Sequence, residues 1–416
     1  MNGKFTQIAP VILLLFGGLF LGVEFSWASA GNLDPSFGSS GITITRSANG
    51  FSLINAVRVQ NDGKILVQVA APSTNEILRY TTTGALDTSF GTNGIAPVIG
   101  GNMALAGDQI VVGAIVTDPN NSQIALAVER LNNDGSRDPA FANGGMALAD
   151  LGGRFPVFSV VLAAPDGSVL MCASLEPTGR RQPAQTALVH FTSTGELDMT
   201  FGNQGVSIAT AAGGCSAMAL LNTGDILVVN AQTVTQFTSN GSVKSTVTGG
   251  PIVVSNAGST LGPVSFIQAD GDYLLGQDVF TGLESRGHNS AVQVLSFTET
   301  GSPDPTFSNP PFHYVGSGGS GIEALVNGVA AASNGDVVLV GNQITFTQNG
   351  TLSIPGLARL TPSGQLDTAF GNGGVVVNSV PGGLSAVAVQ PADDKIVAVG
   401  LAGNNNELTI SRYLAQ

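Results

Sequence analysis

One short motif recurs along almost the whole sequence, and this constrains the fold more than any other feature. GALDTSFGTNGI at 84–95 returns as GNLDPSFGSSGI at 31–42 and as GQLDTAFGNGGV at 364–375. Copies follow one another at intervals of about 55 residues and fill the chain from residue 31 to its end. We therefore predict a single repeat domain over 31–416. Seven positions align with the aspartate of this motif: Asp34, Asp87, Asp138, Asp198, Lys244, Asp304 and Asp367.

Each copy has the pattern of four short strands. In NAVRVQNDGKILVQVA, from Asn55, two partly alternating apolar runs flank Asp62-Gly63, which is a strong hairpin signal. EILRYTTTG, from Glu76, predicts the next strand, and an apolar stretch after the glycines of the motif predicts the last. Four strands in a repeat of this length are typical of a propeller blade. The sequence thus predicts an all-β, seven-bladed β-propeller with four strands per blade.

The composition fits such a fold and excludes one class of partner. Charged residues make up 10% of the chain, and there are 56 glycines, which suits short strands joined by tight turns. The formal net charge of −13 repels the phosphate backbone of nucleic acid, so we expect no nucleic-acid partner.

The first thirty residues have the features of a secretory leader. Lys4 precedes an apolar run at 8–23, and Ala28-Ser29-Ala30 offers small residues for cleavage. We predict a signal peptide over 1–30 and a mature monomer, without stable membrane insertion, that is secreted or held in the periplasm or cell envelope. An uncleaved anchor is the alternative, although the run is shorter than the ~20 residues of a usual span. For Cys172 and Cys215 the sequence leaves open a disulfide or two buried thiols.

The repeated residues resemble a known family. LDxxFGxxG, followed by AVxxQxDGKILV and xxRY, is similar to the delta-60 repeat, most clearly in the copies at Asp34, Asp87, Asp198 and Asp367. The copies at Lys244 and Asp304 depart from it, the latter reading SPDPTFSNPPF. The resemblance implies an exported bacterial β-propeller and carries no established activity, cofactor or catalytic residue.

A second regularity lies one strand before each motif. Five residues ahead of the motif glycine stand, in chain order, Arg79, Arg130, His190, Gln236, Ser296, Arg359 and Arg412. We predict structural pairs that brace strand to turn. They are Arg79–Asp87, Arg130–Asp138, His190–Asp198 and Arg359–Asp367, while Ser296 faces Asp304.

The two ends of the chain complete this pattern. Arg412 has no motif after it, and Asp34 has no arginine before it. We therefore predict that 31–46 completes the last blade, with the strand at 41–45 beside 407–414 and Arg412 paired with Asp34. This arrangement closes the ring.

The phenylalanine of each motif is predicted to fill the space between neighbouring blades, because it is the largest apolar group in its unit. The set is Phe37, Phe90, Phe141, Phe201, Phe307 and Phe370. A ring of calcium ligands is the alternative role for the aspartates. Calcium needs several oxygens at one point, whereas each unit offers one.

The sequence offers no catalytic, cofactor-binding or metal-binding candidate. His190, His288 and His313 do not form a metal-spaced cluster, and no GxSxG motif occurs. We therefore predict a non-catalytic interaction platform that binds an unknown protein or small ligand at the channel face. A hydrolase or lyase with its pocket at the channel mouth is the alternative. The segments that depart most from the repeat, where binding would act, are 176–186, 249–263, 278–290 and 343–354.

Overall fold

A computed structural model describes the chain over 29–47, 50–119, 121–177, 185–209, 214–215, 217–229, 233–248, 266–269, 272–284, 287–298, 302–315, 322–347, 350–377, 382–402 and 407–416. None of these residues is helical, and the part of the chain covered contains no helix suited to crossing a bilayer. The strands in chain order are β1 (Ile42–Arg46), β2 (Leu53–Val59), β3 (Ile65–Ala70), β4 (Asn75–Tyr80), β5 (Ile95–Val98), β6 (Asn102–Ala106), β7 (Gln109–Thr117), β8 (Ile124–Leu131), β9 (Met146–Asp150), β10 (Pro156–Ala163), β11 (Val169–Leu175), β12 (Gln185–Phe191), β13 (Val206–Ala209), β14 (Ala217–Leu220), β15 (Ile226–Val229), β16 (Thr233–Phe237), β17 (Val243–Thr248), β18 (Phe266–Ala269), β19 (Asp272–Glu284), β20 (Gly287–Phe297), β21 (Ile322–Ala331), β22 (Val337–Thr347), β23 (Gly350–Leu360), β24 (Val375–Val377), β25 (Ala386–Val389), β26 (Ile396–Ala402) and β27 (Glu407–Tyr413).

These strands build a β-propeller. Four sheets are simple antiparallel meanders of four consecutive strands, and a fifth contains β25, β26, β27 and β1. The sixth sheet has seven strands, β18 to β24, because β20 and β21 meet through one parallel pair, Ser290 with Glu323. The described strands therefore form six sheets rather than the seven separate four-stranded sheets that the repeat count predicts.

The core lies between neighbouring sheets, not inside any one of them. Leu66 and Ile110, from successive sheets, share one buried apolar cluster. Val67 and Ile410 share the cluster that joins the first sheet to the last. Central strands are therefore buried on both faces, which explains why β3 reads as the nearly continuous apolar run ILVQVA.

A channel runs through the centre of this ring. Its cavity has a volume of about 1270 Å³ and is lined by the first strands of the blades, β2, β6, β10, β14, β21 and β25. Glycine allows the tight turn of the repeated motif. Gly91 has a φ of +51°, and a Cβ there would lie 2.2 Å from the Ile95 carbonyl oxygen.

The ends of the chain close the ring as the sequence predicts. β1 pairs with β27 in antiparallel register from Ile42 opposite Ser411 to Arg46 opposite Glu407. The Gly31 amide donates to the Leu414 carbonyl at 2.9 Å, and the Leu414 amide donates to the Asn32 carbonyl at 2.9 Å.

These two bonds reproduce an ordinary blade turn. In the first blade the Gly84 amide donates to Thr81 at 2.9 Å, and the Thr81 amide donates to Ala85 at 2.8 Å. The two termini therefore rebuild, without a covalent link, a turn that the other blade has in one piece.

The last two residues of the predicted signal peptide, 1–30, lie at this ring closure. Residues 1–28 lie outside the described residues, but Ser29 and Ala30 are placed. Ala30 is buried, and its carbonyl accepts a hydrogen bond from the Gly371 amide at 3.0 Å. The Thr83 carbonyl accepts the equivalent bond from Gly38 at 2.8 Å.

Cys172 and Cys215 form a disulfide with a Cα–Cα distance of 6.1 Å. Cys172 belongs to β11, and Cys215 precedes β14, so the bond joins two neighbouring sheets. Of the two possibilities that the sequence leaves open, the structure has the disulfide.

The split turn predicts the outcome of a circular permutation. We expect a chain that joins Gln416 directly to Gly31 and opens between Thr83 and Gly84 to stay within about 1 kcal/mol of the 31–416 protein in free energy of unfolding. The reason is that the new turn, 414–416 followed by 31–32, has the same length as 81–85. Urea unfolding measures this difference.

The matched control is the same permutant without Gly31. Gly31 has a φ of +86°, so the shortened turn loses its left-handed residue, and the free energy of unfolding should fall further. Equal losses in both permutants would contradict the proposed equivalence of the two turns.

Candidate functional site

The propeller has two unlike faces. The hairpins between the first and second strands share one face with the motif turns, since Lys64 of the first hairpin lies 3.5 Å from the Asp87 carboxylate. We call this the anchor face. At the opposite end the first strand of each blade begins and the second ends, as where Leu53 pairs with Ala70. We call this the variable face.

On the anchor face, arginine, aspartate and phenylalanine form a repeated unit. Arg79 Nε donates to Asp87 Oδ2 at 2.9 Å, and its guanidinium stacks 4.6 Å from the centre of the Phe90 ring. Arg79 Nη1 also donates to the Asn133 carbonyl of the next blade. Each unit thus ties a strand to its own turn and to its neighbour.

Three further arginines repeat this geometry, including the pair that joins the two termini. Each guanidinium lies 4.4–4.6 Å from the centre of its phenylalanine ring. Arg130 and Arg412 donate through Nη1, at 2.6 Å, to carbonyls of the next blade, those of Ser193 and Thr82. The Nη2–Oδ2 distances are 2.8 Å for Arg130–Asp138, 2.7 Å for Arg359–Asp367 and 2.8 Å for Arg412–Asp34.

Where arginine is replaced, the unit is weaker or rearranged. His190 Nδ1 lies 2.9 Å from Asp198 Oδ2, and its ring stands 5.3 Å from that of Phe201. Ser296 meets Asp304 through the backbone, its carbonyl accepting from the Asp304 amide at 3.0 Å.

In the copy that carries lysine, a third residue replaces the motif aspartate. Asp225, at the end of a hairpin, accepts from Lys244 Nζ at 2.6 Å and from Gln236 Nε2 at 3.0 Å. The missing carboxylate is therefore supplied from another turn of the same blade.

That third position is a general part of the unit, and the sequence analysis missed it. In five blades the residue at or just before the start of the second strand reaches the pair, and its chemistry suits the partner it meets. These residues are Lys64, Gln109, Asp225, Asp336 and Lys395. Lysine faces the aspartate, as in Lys395–Asp34 at 3.2 Å, whereas Asp336 lies 3.7 Å from Arg359. The signal was present in the sequence as the residue that follows the hairpin turn.

The motif phenylalanines are buried with one exception. Phe37, Phe90, Phe141, Phe201 and Phe370 are essentially inaccessible. Phe307 is only half-buried and lines a cavity of about 370 Å³ beside Ser308 and Asn309. Phe307 packs against an apolar cluster that includes Val337 and Leu360, but only partly, in a copy that lacks the motif glycines.

The unit perturbs the acidity of its carboxylates. Burial raises the pKa of Asp34, but hydrogen bonds from Ser36 and the cations of Lys395 and Arg412 outweigh it and bring the pKa to about 2. The pKa of Asp87 is also lowered, since bonds from Ser89 and the charges of Arg79 and Lys64 outweigh its burial.

The variable face presents a different chemistry around the channel mouth. Leu53, Phe155 and Val157 are exposed by 57%, 59% and 56%. Leu53 and Val157 also line the channel. Asn102 Nδ2 donates to the Ser159 carbonyl at 2.7 Å, so its side chain bridges two blades at this end.

Arg58 is the one charged side chain among the described residues that line the channel. Its Nη1 donates to the Val57 carbonyl at 2.9 Å. The residue is accessible from within the channel, and the surrounding protein lowers the pKa of its guanidinium by desolvation.

Neither His190 nor His313, the two histidines whose side chains are described, lines the channel with Arg58. His190 belongs to an anchor unit, and burial lowers the pKa of the half-buried His313. The backbone of His288 lies in β20, and its side chain lies outside the described residues. In the described part of the chain, no three His, Cys, Asp or Glu side chains are grouped to hold a metal ion.

The described strands that flank the four segments departing from the repeat point to one face. Strands that flank each of them begin or end on the variable face: β11 and β12, β17 and β18, β19 and β20, and β22 and β23. Residues 178–184 and 249–265 themselves lie outside the described residues. β19 and β22 are unusually long, with 13 and 11 residues against 6 in β3.

Three segments of the chain match one family. Residues 60–90, 108–141 and 333–370 match the family described as a domain of unknown function (DUF5122) beta-propeller. This match agrees with the fold, and the resemblance to the delta-60 repeat stays a prediction. No curated protein sequence matches the chain.

Several solved propeller-like structures resemble the chain at low identity. Virginiamycin B lyase from Staphylococcus aureus has 9% identity and a TM-score of 0.41, over 90% of this chain and 99% of its own. The Pan2 WD40 domain of Neurospora crassa has 10% identity and a TM-score of 0.44, over 92% and 98%. Alpha-L-arabinanase of Penicillium chrysogenum has 11% identity and a TM-score of 0.40, over 89% and 98%. At these values the likeness gives no information about what this chain binds.

The low pKa of Asp34 predicts an acid-sensitive ring closure. Its pKa in the unfolded chain is about 3.9 and in the folded protein about 2, so the ionised Asp34 carboxylate, held by Ser36, Lys395 and Arg412, contributes stability above pH ~4. That contribution, about 2 kcal/mol, is lost as the pH falls through the folded value. We expect the stability gap between the wild type and Asp34→Asn to narrow by this amount between pH 6 and pH 2, as measured by urea unfolding.

Asp304→Asn serves as the control, since it removes a motif carboxylate that accepts hydrogen bonds from Thr306 and has Ser296 in place of the arginine. At pH 6 this variant should lose less free energy of unfolding than Asp34→Asn. A gap between the wild type and Asp34→Asn that stays constant with pH would show that the Asp34 carboxylate does not stabilise the closure.

Proposed function

We propose that the protein is a non-catalytic, exported propeller that binds a protein or small ligand on its variable face, in the cell envelope or outside the cell. The observation that carries this proposal is that the two faces differ in structure. The anchor face repeats one structural unit, whereas all four segments that depart from the repeat are flanked by strands that begin or end on the other face. Loops held by a rigid scaffold are where binding residues concentrate.

The surface around the channel mouth supports the same assignment. Leu53 and Val157 line the open cavity, and these two residues and Phe155 are each more than half exposed. Grouped apolar exposure of this kind marks interaction sites in soluble proteins. The long hairpins β19–β20 and β22–β23 extend on the same side and enlarge that surface. The hydrolase or lyase alternative stays a hypothesis from the sequence.

We infer that the ring contains seven blades. The seven-stranded sheet divides naturally at its one parallel pair, Ser290 with Glu323, because all its other strands pair in antiparallel fashion. A bridge between Val292 and Phe312 gives β20 the outer neighbour that a separate blade needs. An experimental structure in which β20 and β21 form one continuous blade would contradict this count.

Export rests on two features. The leader-like residues 1–30 precede the domain, and a buried disulfide joins Cys172 to Cys215. Disulfides persist in oxidising compartments and are rare in the cytosol.

Photo-crosslinking in the cells that make the protein tests both parts of the proposal. A benzoylphenylalanine probe replaces Phe155 on the variable face or, as the control, Met199 on the anchor face, which is similarly exposed at 64%. We expect adducts from the Phe155 probe alone, in envelope or extracellular fractions, identified by mass spectrometry as protein or small molecule.

Competition decides whether such adducts are specific. Excess purified wild-type protein should suppress them, whereas the Leu53→Asp/Val157→Asp double variant should not. Equal adducts from both probes would rule out a variable-face site, and recovery of the leader-bearing protein in the cytosol alone would rule out export.

A further inference from the structure

We propose that the central channel binds an organic anion, with an oxyanion group of the ligand paired to Arg58 and an apolar body lying against the channel wall. This inference rests on the proposed function, because it takes the channel to be open to ligands from the variable face. It adds the chemical class of the ligand and the residue that selects it. Arg58 itself lies deeper, toward the anchor face, since its neighbour Val59 pairs with Ile65 beside the hairpin.

Arg58 differs from the residues at the equivalent position in other blades. It pairs with Leu66, which in turn pairs with Arg79 of the anchor unit, so the three residues lie on one radial line of the blade. The same line in other blades leads to a small or apolar residue on the first strand. These residues are Ala104, Leu162, Ala219, Ala330 and Ala388.

The guanidinium of Arg58 has no acidic partner among the described residues. The anchor arginines each pair with an aspartate, as Arg79 does at 2.9 Å, whereas Arg58 meets only the Val57 carbonyl. A guanidinium has five N–H donors and keeps its charge in proteins, so most of its donors remain for a ligand. An anion that enters the channel can therefore pair with this exposed guanidinium.

The rest of the channel explains why the ligand needs an apolar part. Ile54, Ile115, Val160, Met218 and Val387 contribute to the lining. The volume of about 1270 Å³ exceeds the roughly 300–1,000 Å³ of ordinary ligand pockets, so an organic molecule fits. A bare inorganic ion would pair with one arginine but would make no favourable contact with this apolar wall.

The two mouths differ in chemistry. On the anchor face, the hairpin carboxylates of Asp62 and Asp393 are paired with Lys64 and Lys395 at 3.1 and 3.0 Å. The variable-face mouth is lined by Leu53 and Val157, which suit the apolar body of a ligand.

Two fluorescent probes separate the anionic from the apolar contribution. Anilinonaphthalene sulfonate carries one oxyanion on an apolar body, and N-phenylnaphthylamine is the same body without the sulfonate. Titration of each into wild-type protein, Arg58→Gln and Arg46→Gln gives the dissociation constants. Arg46 is the matched control, because it lies in the outer strand β1 and pairs with Glu407 at 2.9 Å.

We expect Arg58→Gln to weaken binding of the sulfonate probe by about tenfold or more and to leave the neutral probe unchanged. Arg46→Gln should change neither. Absence of sulfonate binding by the wild type, or equal binding by wild type and Arg58→Gln, would overturn the inference.

A measurement on the wild type alone covers the case in which Arg58→Gln fails to fold. Benzoate should displace the sulfonate probe, and benzyl alcohol at the same concentration should not; displacement by both or by neither would also overturn the inference. If the Phe155 probe still forms specific adducts while these titrations fail, the anion site is wrong and the variable-face function stands. Loss of the adducts with retained Arg58-dependent binding would instead support the anion site and contradict the variable-face function.

Discussion

The guanidinium that bridges one blade to the next is the contact on which the ring depends. A sheet in this protein has no core of its own, since apolar clusters such as the one shared by Leu66 and Ile110 lie between sheets. Those clusters fix the distance between blades but not their register, because apolar packing is not directional. Arg79 supplies the direction: one side chain binds Asp87 of its own turn, the Phe90 ring and the Asn133 carbonyl of its neighbour.

Charge is used sparingly, and about half of the cationic residues serve this purpose. The chain has 15 lysines and arginines, and each arginine of the anchor units is neutralised by a buried or partly buried aspartate. Charged residues on the hairpins form further ion pairs with these units; they are Lys64, Lys395, Asp225 and Asp336. Against this background an unneutralised guanidinium in the channel, that of Arg58, is conspicuous, because the fold itself offers several examples of how such a charge is paired.

Repetition made part of this architecture predictable. The Arg412–Asp34 pair and the β1–β27 pairing follow from the repeat alone, since each end of the chain lacks the half that the other end carries. Asp225 was missed because its role appears only when a hairpin folds onto a turn about one strand away. In the sequence AVRV, Arg58 looks like any outward-facing polar residue. Its side chain comes to lie in a channel only when the ring closes. Phe307 is only half-buried, in a copy that lacks the motif glycines.

The ring closure also has a consequence for the order of folding. Arg412 and Asp34 are separated by 378 positions, so the contact that finishes the ring is among the least local in the molecule. The entropy of closing so long a loop grows only slowly with its length, and the cost falls on the rate more than on the final stability. Until β27 has been made and β1 finds it, the first and last blades each present an uncovered apolar side. The chain therefore passes through an open ring with exposed apolar surface at both ends. The lifetime of that state determines how readily the protein aggregates.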